Sequence, residues 1–270
     1  MKQNLEVLIS SLEKEPQKLI SRMNIECDAV IVNQGNNEGR YVLETADGFK
    51  VNVIESRERG VGKSRNMALD EADSEIVLFS DDDIVYLKGY SESVLKAFDS
   101  EPDADIIMFN VNVREERRTY HINNRKRVYK WNVGRYPAYA AAARLDSIRK
   151  ADVRFSLLFG GGAEYSCGED SLFFMDCLKA GLRIKAVPDV IGREEAHDST
   201  WFHGYNDKFF IDRGVLLYYL YGGLAPVWAI RFVVSKKKLY GNSVRPRDAY
   251  ALIRQGIKTG KKAKKDITRA

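Results

Sequence analysis

A chain of 270 residues, 44% hydrophobic and 30% charged, is long enough to bury its own core and too evenly mixed to be fibrous or intrinsically disordered. Cys27, Cys167 and Cys177 are odd in number and have no metal-type spacing, so no disulfide framework is expected and the thiols read as reduced and cytoplasmic. The net charge of +5 is uneven: Arg231–Ala270 holds 13 Lys and Arg against 2 acids, a net of +11, and the other 230 residues carry −6. The opening MKQNLEVLIS is too short and too charged for a signal peptide.

The first half alternates short apolar runs with helix signals. Leu5–Ser10, Ala29–Asn33, Lys50–Ile54, Glu75–Ser80 and Asp105–Val113 are rich in Val, Ile, Leu or Phe and predict strands. Ser64–Ala72 predicts a short helix capped by Ser64, and Gly89–Phe98 a second with Val94, Leu95 and Phe98 on one face. Such alternation predicts an α/β sheet with helices on its faces. Thr119–Ala143 is basic and aromatic without a usable period, and reads as a long loop or a strand pair near the site. Phe159–Gly162 is a glycine turn where backbone approaches a ligand closely. A helix then opens at Glu169-Asp170 and stops at Gly181, with Leu172, Phe173, Met175 and Leu178 as core; Leu182–Val187 is a strand closed by Pro188. Gly214–Val234 is apolar over about the length of a membrane span. Gly222, Gly223, Pro226 and Arg231 interrupt it, so it reads as a helix pair at an interface or packed on the core. The basic end reads as a surface-binding tail for anionic lipid or nucleic acid, or as a solvated, partly disordered end.

Chemistry concentrates at Gly60–Tyr86, GVGKSRNMALDEADSEIVLFSDDDIVY. An apolar strand delivers Asp81, Asp82 and Asp83 to one point, where they repel one another unless solvated or joined by a cation. Strand alternation points Asp81 and Asp83 together and Asp82 away. Mg²⁺ takes one or two carboxylates plus substrate phosphates, so the readings are a metal–diphosphate site or a solvated acidic turn. Glu169 and Asp170 in a first turn are favoured by the helix dipole alone. GVGKS is not a phosphate loop, because Arg57 stands where the pattern needs glycine, and no GxGxxG follows the first strand. His197 and His203 are a weak zinc pair; His197 reads as one nitrogen ligand to the ion on the aspartates or as a polar loop histidine.

Taken together, these strings resemble the nucleotide-sugar half of family-2 glycosyltransferases with the GT-A fold, a mixed sheet flanked by helices. The motifs are Gly60 or Gly62, Arg65-Asn66 opening a helix, Asp81-x-Asp83 ending a strand, and Gly168-Glu169-Asp170 opening a later helix, agreeing in order over roughly residues 1–200. The resemblance implies a catalytic domain over 1–204 and a helical, basic extension over 205–270. It implies that Asp81 and Asp83, with His197, bind Mn²⁺ or Mg²⁺ against the donor diphosphate. It implies Asp170 as general base with Glu169 beside it, and Arg65, Asp81 and Asp82 near the nucleotide. The family's usual Pro-Thr-Tyr-Asn after the first strand is replaced by Ile9-Ser10-Ser11-Leu12, and its uracil-reading aspartate by Asn33-Gln34, which would read the base edge. UDP is therefore only the default carrier.

The implied activity is inverting transfer of a sugar from a nucleotide diphosphate to a glycan or lipid-linked glycan, in cell-surface polysaccharide biosynthesis of the bacterial type. The placement implied is cytoplasmic, peripheral at the inner face of the membrane through the basic tail. A sugar-phosphate nucleotidyltransferase is the rival enzyme, but Ser10–Pro16 lacks the glycine-rich basic loop it needs. A non-catalytic module using the tail is the other rival. Nucleic acid is disfavoured, because no binding motif accompanies the basic residues.

Overall fold

The computed structural model describes residues 4–12, 15–115, 118, 120–195, 204–241 and 243–267. In chain order these form β1 (Leu5–Ser11), α1 (Pro16–Met23), β2 (Asp28–Gln34), β3 (Gly39–Glu44), β4 (Lys50–Ser56), α2 (Val61–Glu71), β5 (Ile76–Asp81), β6 (Ile84–Tyr86) and α3 (Tyr90–Ser100). There follow β7 (Ile106–Asn112), β8 (Lys126–Arg127), β9 (Ala141–Arg144), α4 (Leu145–Ala151), α5 (Glu169–Lys179) and β10 (Ile184–Glu194). Four helices close the described chain: α6 (Asp207–Tyr221), α7 (Ala225–Ser235), α8 (Lys237–Tyr240) and α9 (Pro246–Ile267).

One mixed sheet runs β3-β4-β2-β1-β5-β9-β7-β10-β6, with β8 on β10. Strands β4, β2, β1 and β5 are mutually parallel. Their apolar runs are buried on both faces, as parallel strands under helices must be. Parallel register also fixes where function can sit. Ser11 lies beside Asn33, Asn33 beside Glu55, and Ser10 beside Asp81, so four carboxyl ends share one edge. Ligands of open α/β sheets bind outside such an edge.

Four sequence expectations need correction. Helix α2 begins at Val61 with Gly60 as its N-cap at φ +132, and Ser64 lies inside the helix, 3.5 Å from the Val32 carbonyl. Pro188 does not close its strand: β10 runs on to Glu194, because the missing N–H falls where the pairing with β7 shifts register between Ala186 and Val190. Alanine has little strand preference, yet Ala141–Ala143 form a fully buried central strand laddered to β5 and β7 on both sides. The basic end is not disordered as far as Ile267: it forms the 22-residue α9, the helical extension expected, with Lys258, Lys261, Lys262 and Lys264 exposed on it.

Helix α9 docks because small residues let two backbones meet. A Cβ on Gly256 would lie 1.9 Å from the Ile211 carbonyl oxygen, and one on Gly214 would lie 2.1 Å from that of Ile253. The α6–α7 run, Asp207–Ser235, is 29 residues long and holds an 18-residue window with a mean hydropathy of 1.3, long and apolar enough by length and composition to cross a membrane. Gly222 at φ +55 and ψ −123 breaks it, and α6, α7 and α9 pack together around Phe210, Ala229, Tyr240 and Ile253. Helix α6 also serves the main core through Val215, Leu216 and Leu220.

Candidate active site

The site begins with Arg65, on the first turns of α2. Its side chain is only 3% exposed, and its guanidinium lies 5.3 Å from the Phe155 ring centre. Phe155 stacks on Phe173 at 4.0 Å, and Phe79 meets both edge-on. A cation over this aromatic floor needs anions, and three converge on it. Arg65 Nη2 donates to Asp81 Oδ1 at 2.8 Å. Arg65 Nη1 donates to Asp170 Oδ1 at 2.6 Å and to Glu169 Oε1 at 3.4 Å. Two acidic motifs about ninety residues apart thus meet on one guanidinium.

Asp170 also accepts the Ala138 backbone N–H through Oδ2 at 2.9 Å. Glu169 accepts the Gly168 N–H at 3.0 Å. Both acids face inward to Arg65, so the helix dipole alone does not account for them. Their side chains are 14% and 21% exposed. Burial, then the neighbouring Asp170 charge, pushes Glu169 up to about 7, with Arg65 opposing. Asp170 is raised by burial and again held down by Arg65. Burial by itself would lower Arg65, but the charges of Asp170, Asp81 and Glu169 outweigh it and leave the guanidinium firmly protonated.

The three aspartates do not continue the strand. Asp81 ends β5, while Asp82 and Asp83 form the turn into β6. Asp82 does point away from Asp81's partner: it accepts the Ser11 hydroxyl at 3.1 Å and the Leu12 N–H at 2.9 Å, tying the end of β1 to the turn. Burial raises the Asp82 pKa, against the pull of the Leu12 N–H. The Asp83 carbonyl accepts the Glu195 N–H at 2.7 Å. His197, two residues beyond, lies outside the described residues, as does His203.

The two residues expected to read the base are held by the protein. Gln34 donates to Ser10 Oγ at 3.3 Å and accepts the Gly60 N–H at 2.7 Å, so both ends of its amide are engaged. Asn33 donates to both oxygens of Glu55 at 3.1 and 3.2 Å, and Tyr41 donates to Glu55 Oε1 at 2.9 Å. The buried Asn33 Oδ1 has no hydrogen-bond partner among the described residues. Glu55 and Tyr41 were not singled out from the sequence, because only strand register brings them beside Asn33.

The glycine turn is tied to the start of α2. Gly161 O accepts the Val61 N–H at 3.0 Å, so the turn clamps the start of α2. Gly160 sits at φ +107, and a Cβ there would come 2.7 Å from Val61 and 2.9 Å from the Glu169 carboxyl carbon. At the start of α2 the Gly60 and Val61 N–H groups are both engaged by the protein.

The residues suit a hard divalent ion. One guanidinium faces an excess of carboxylates, and among the described residues every candidate donor is an oxygen. Among the described residues no three Asp, Glu, His or Cys side chains form a ready-made metal cage. Asp81 and Asp83 would supply one or two ligands, leaving the rest to substrate oxygens.

Solved structures share the fold of this chain. Residues 1–349 of TarS from S. aureus, solved with UDP-GlcNAc, superpose with a TM-score of 0.60 at 16% identity, covering 87% of this chain and 73% of that one. A mannosyltransferase from Pyrobaculum calidifontis, PcManGT, solved with GDP-Man and Mn²⁺, gives a TM-score of 0.53 at 16% identity, covering 97% and 76%. At this identity the likeness establishes the fold, GT-A, with the helical extension attached. No curated protein matches in sequence. The profile of glycosyl transferase family 2 matches residues 2–153, more than half the chain and the stretch that carries Arg65 and the three aspartates, and the chain belongs to that family of glycosyltransferases.

Proposed function

We propose that this glycosyltransferase moves a sugar from a nucleoside diphosphate to an acceptor hydroxyl with inversion, assisted by a divalent ion. The observation that carries the reading is the bridge from Asp81 to Glu169 and Asp170 through Arg65. It sets a carboxylate for the donor side and a carboxylate for the acceptor side on the two ends of one rigid group. Solved neighbours of the same fold hold UDP-GlcNAc or GDP-Man with Mn²⁺, which favours a nucleotide-sugar donor and a divalent ion here.

In the proposed reaction the acceptor oxygen attacks the anomeric carbon from the face opposite the diphosphate. The new C–O bond forms as the bond from C1 to the phosphate oxygen breaks, and the electron pair leaves with the nucleoside diphosphate. Asp170 takes the acceptor proton, and its pKa, raised by burial, suits a base more than that of a solvated carboxylate would. Arg65 holds Asp170 in place, with the Ala138 N–H fixing the other oxygen. Glu169 stands beside it as an acceptor-side acid. Asp81 and Asp83, with His197, would hold Mn²⁺ or Mg²⁺, which when bound stabilises charge on the departing diphosphate. Asp82 shapes the donor side through Ser11 and Leu12, and Asn33, backed by Glu55 and Tyr41, meets the base edge.

We also propose that residues 1–204 act as the catalytic unit and 205–270 as an extension resting on the inner face of the cell membrane, in cell-surface polysaccharide assembly. Leu224, Val227, Ile230 and Val234 are 64, 63, 54 and 72% exposed, an apolar stripe beside Lys236–Lys238. The reading is tested by nucleoside diphosphate release from a panel of nucleotide sugars with Mn²⁺. Release that survives both Asp83→Ala and EDTA contradicts the metal role.

A further inference from the structure

Strand β3 forms one border of the sheet: it ladders to β4 and, among the described residues, to no other strand. Its residues are exposed almost throughout, with Tyr41 and Val42 at 40 and 56%. An open border of this kind is a template for a further strand unless something blunts it. A proline or a bulge would do so, and GRYVLE has neither. It carries one positive and one negative residue, Arg40 and Glu44, placed evenly about Val42.

The ladder to β4 decides which backbone groups face outward. Thr45 N–H donates to Phe49 O at 3.0 Å, so on the register to β4 the hydrogen-bonded pairs are Leu43 with Val51 and Tyr41 with Val53. The Lys50 N–H agrees with this, since it turns away from β3 to Asp28 Oδ1 on β2 at 2.9 Å. The N–H and C=O of Arg40, Val42 and Glu44 therefore point out of the sheet. Among the described residues the Glu44 carbonyl is the one of these groups with a partner, Gln17 Nε2 at 3.5 Å, and its second lone pair stays open.

A second copy matches this edge in one register. Antiparallel pairing about a two-fold axis at Val42 sets Val42 against its own copy and Arg40 against Glu44 of the partner subunit. Every outward-facing residue then exchanges both backbone hydrogen bonds, and opposite charges meet on both sides of the axis. Tyr41 falls against Leu43 of the partner subunit, an apolar pair. A slip of one residue opposes outward groups to inward ones, and a slip of two leaves Arg40 or Glu44 facing valine. Arg40 is also paired with Glu71 on α2, and its guanidinium has donors for a second carboxylate.

We propose that β3 is a dimer interface, through which two copies of this chain pair along Gly39–Glu44 in that register and join their sheets. An edge of this length is small, so the association is concentration-dependent.

Sedimentation velocity of the full-length protein from about 1 to about 200 µM should show monomer and dimer and no larger species, because a two-fold contact closes on itself. Arg40→Glu and Glu44→Arg should each weaken dimerisation about tenfold or more, and the two together should restore it to within about threefold of wild type. Both side chains are exposed, and circular dichroism checks that each variant folds. Val42→Cys reads the register. The axis brings its Cα to about 5.5 Å from that of its copy, within disulfide reach, so mild oxidation should link it as a dimer. Arg40→Cys is offset from its own copy by roughly 14 Å along the strands and should link no more than the wild type, which has Cys27, Cys167 and Cys177. A monomer over the whole range, assemblies larger than a dimer, single reversals without effect, a double reversal that restores nothing, or Val42→Cys linking no better than Arg40→Cys overturns the proposal.

Discussion

Replacing Arg65 with methionine keeps the length of the side chain and removes its charge. The guanidinium is 3% exposed and is the cation shared by Asp81, Glu169 and Asp170. Breaking a buried ion pair from one side typically costs about 3–5 kcal/mol, because the remaining charges stay buried. Three carboxylates are stranded here, so the upper end of that range is expected near neutral pH. Arg65 lowers the pKa of both Glu169 and Asp170, so without it both rise further above the unfolded carboxyl range. A carboxyl raised in the folded state stabilises below its unfolded pKa and loses that contribution as pH climbs through its folded value. The penalty should therefore be smaller at about pH 5 than at about pH 8. Denaturant unfolding followed by circular dichroism at both pH values measures it. A loss under about 1 kcal/mol at both would refute the claim that Arg65 neutralises the site.

Wild-type Glu169, pushed up to about 7 from an ordinary 4.5, should itself drain stability as pH rises between those values. At about 1.4 kcal/mol per pKa unit this is on the order of 3 kcal/mol, shared with Asp170, and Glu169→Gln should flatten the pH–stability curve across that window. Gly160→Ala forces a Cβ against Val61 and Glu169 from a positive φ, and thermal unfolding should report a loss of about 1–3 kcal/mol together with weakened transfer. Gly256→Leu should lift α9 from α6, seen as faster amide exchange over 246–267, while nucleotide binding by the main sheet persists.

The parallel strands were legible because burial on both faces writes itself as unbroken Val, Ile and Leu. Asp81 and Glu169-Asp170 were legible because carboxylates at a strand end and at a helix start need a reason. Arg65's position beneath the acids was not, since burying a guanidinium is disfavoured until its three partners are known. Strand β9 was hidden by alanines whose strand state depends on neighbours β5 and β7, far off in sequence. The engagement of Gln34 by Gly60 and Ser10, and the Asn33–Glu55–Tyr41 group, follow from register that no local pattern encodes.

The account turns on Asp170 as the base set opposite the donor diphosphate. The direct measurement is a paired assay of Asp170→Asn with Mn²⁺ and the best nucleotide sugar from the panel: donor affinity by calorimetry, and transfer by product formation. Donor affinity within about threefold of wild type with transfer reduced about a hundredfold or more is the expected result. Transfer at the wild-type rate would contradict it.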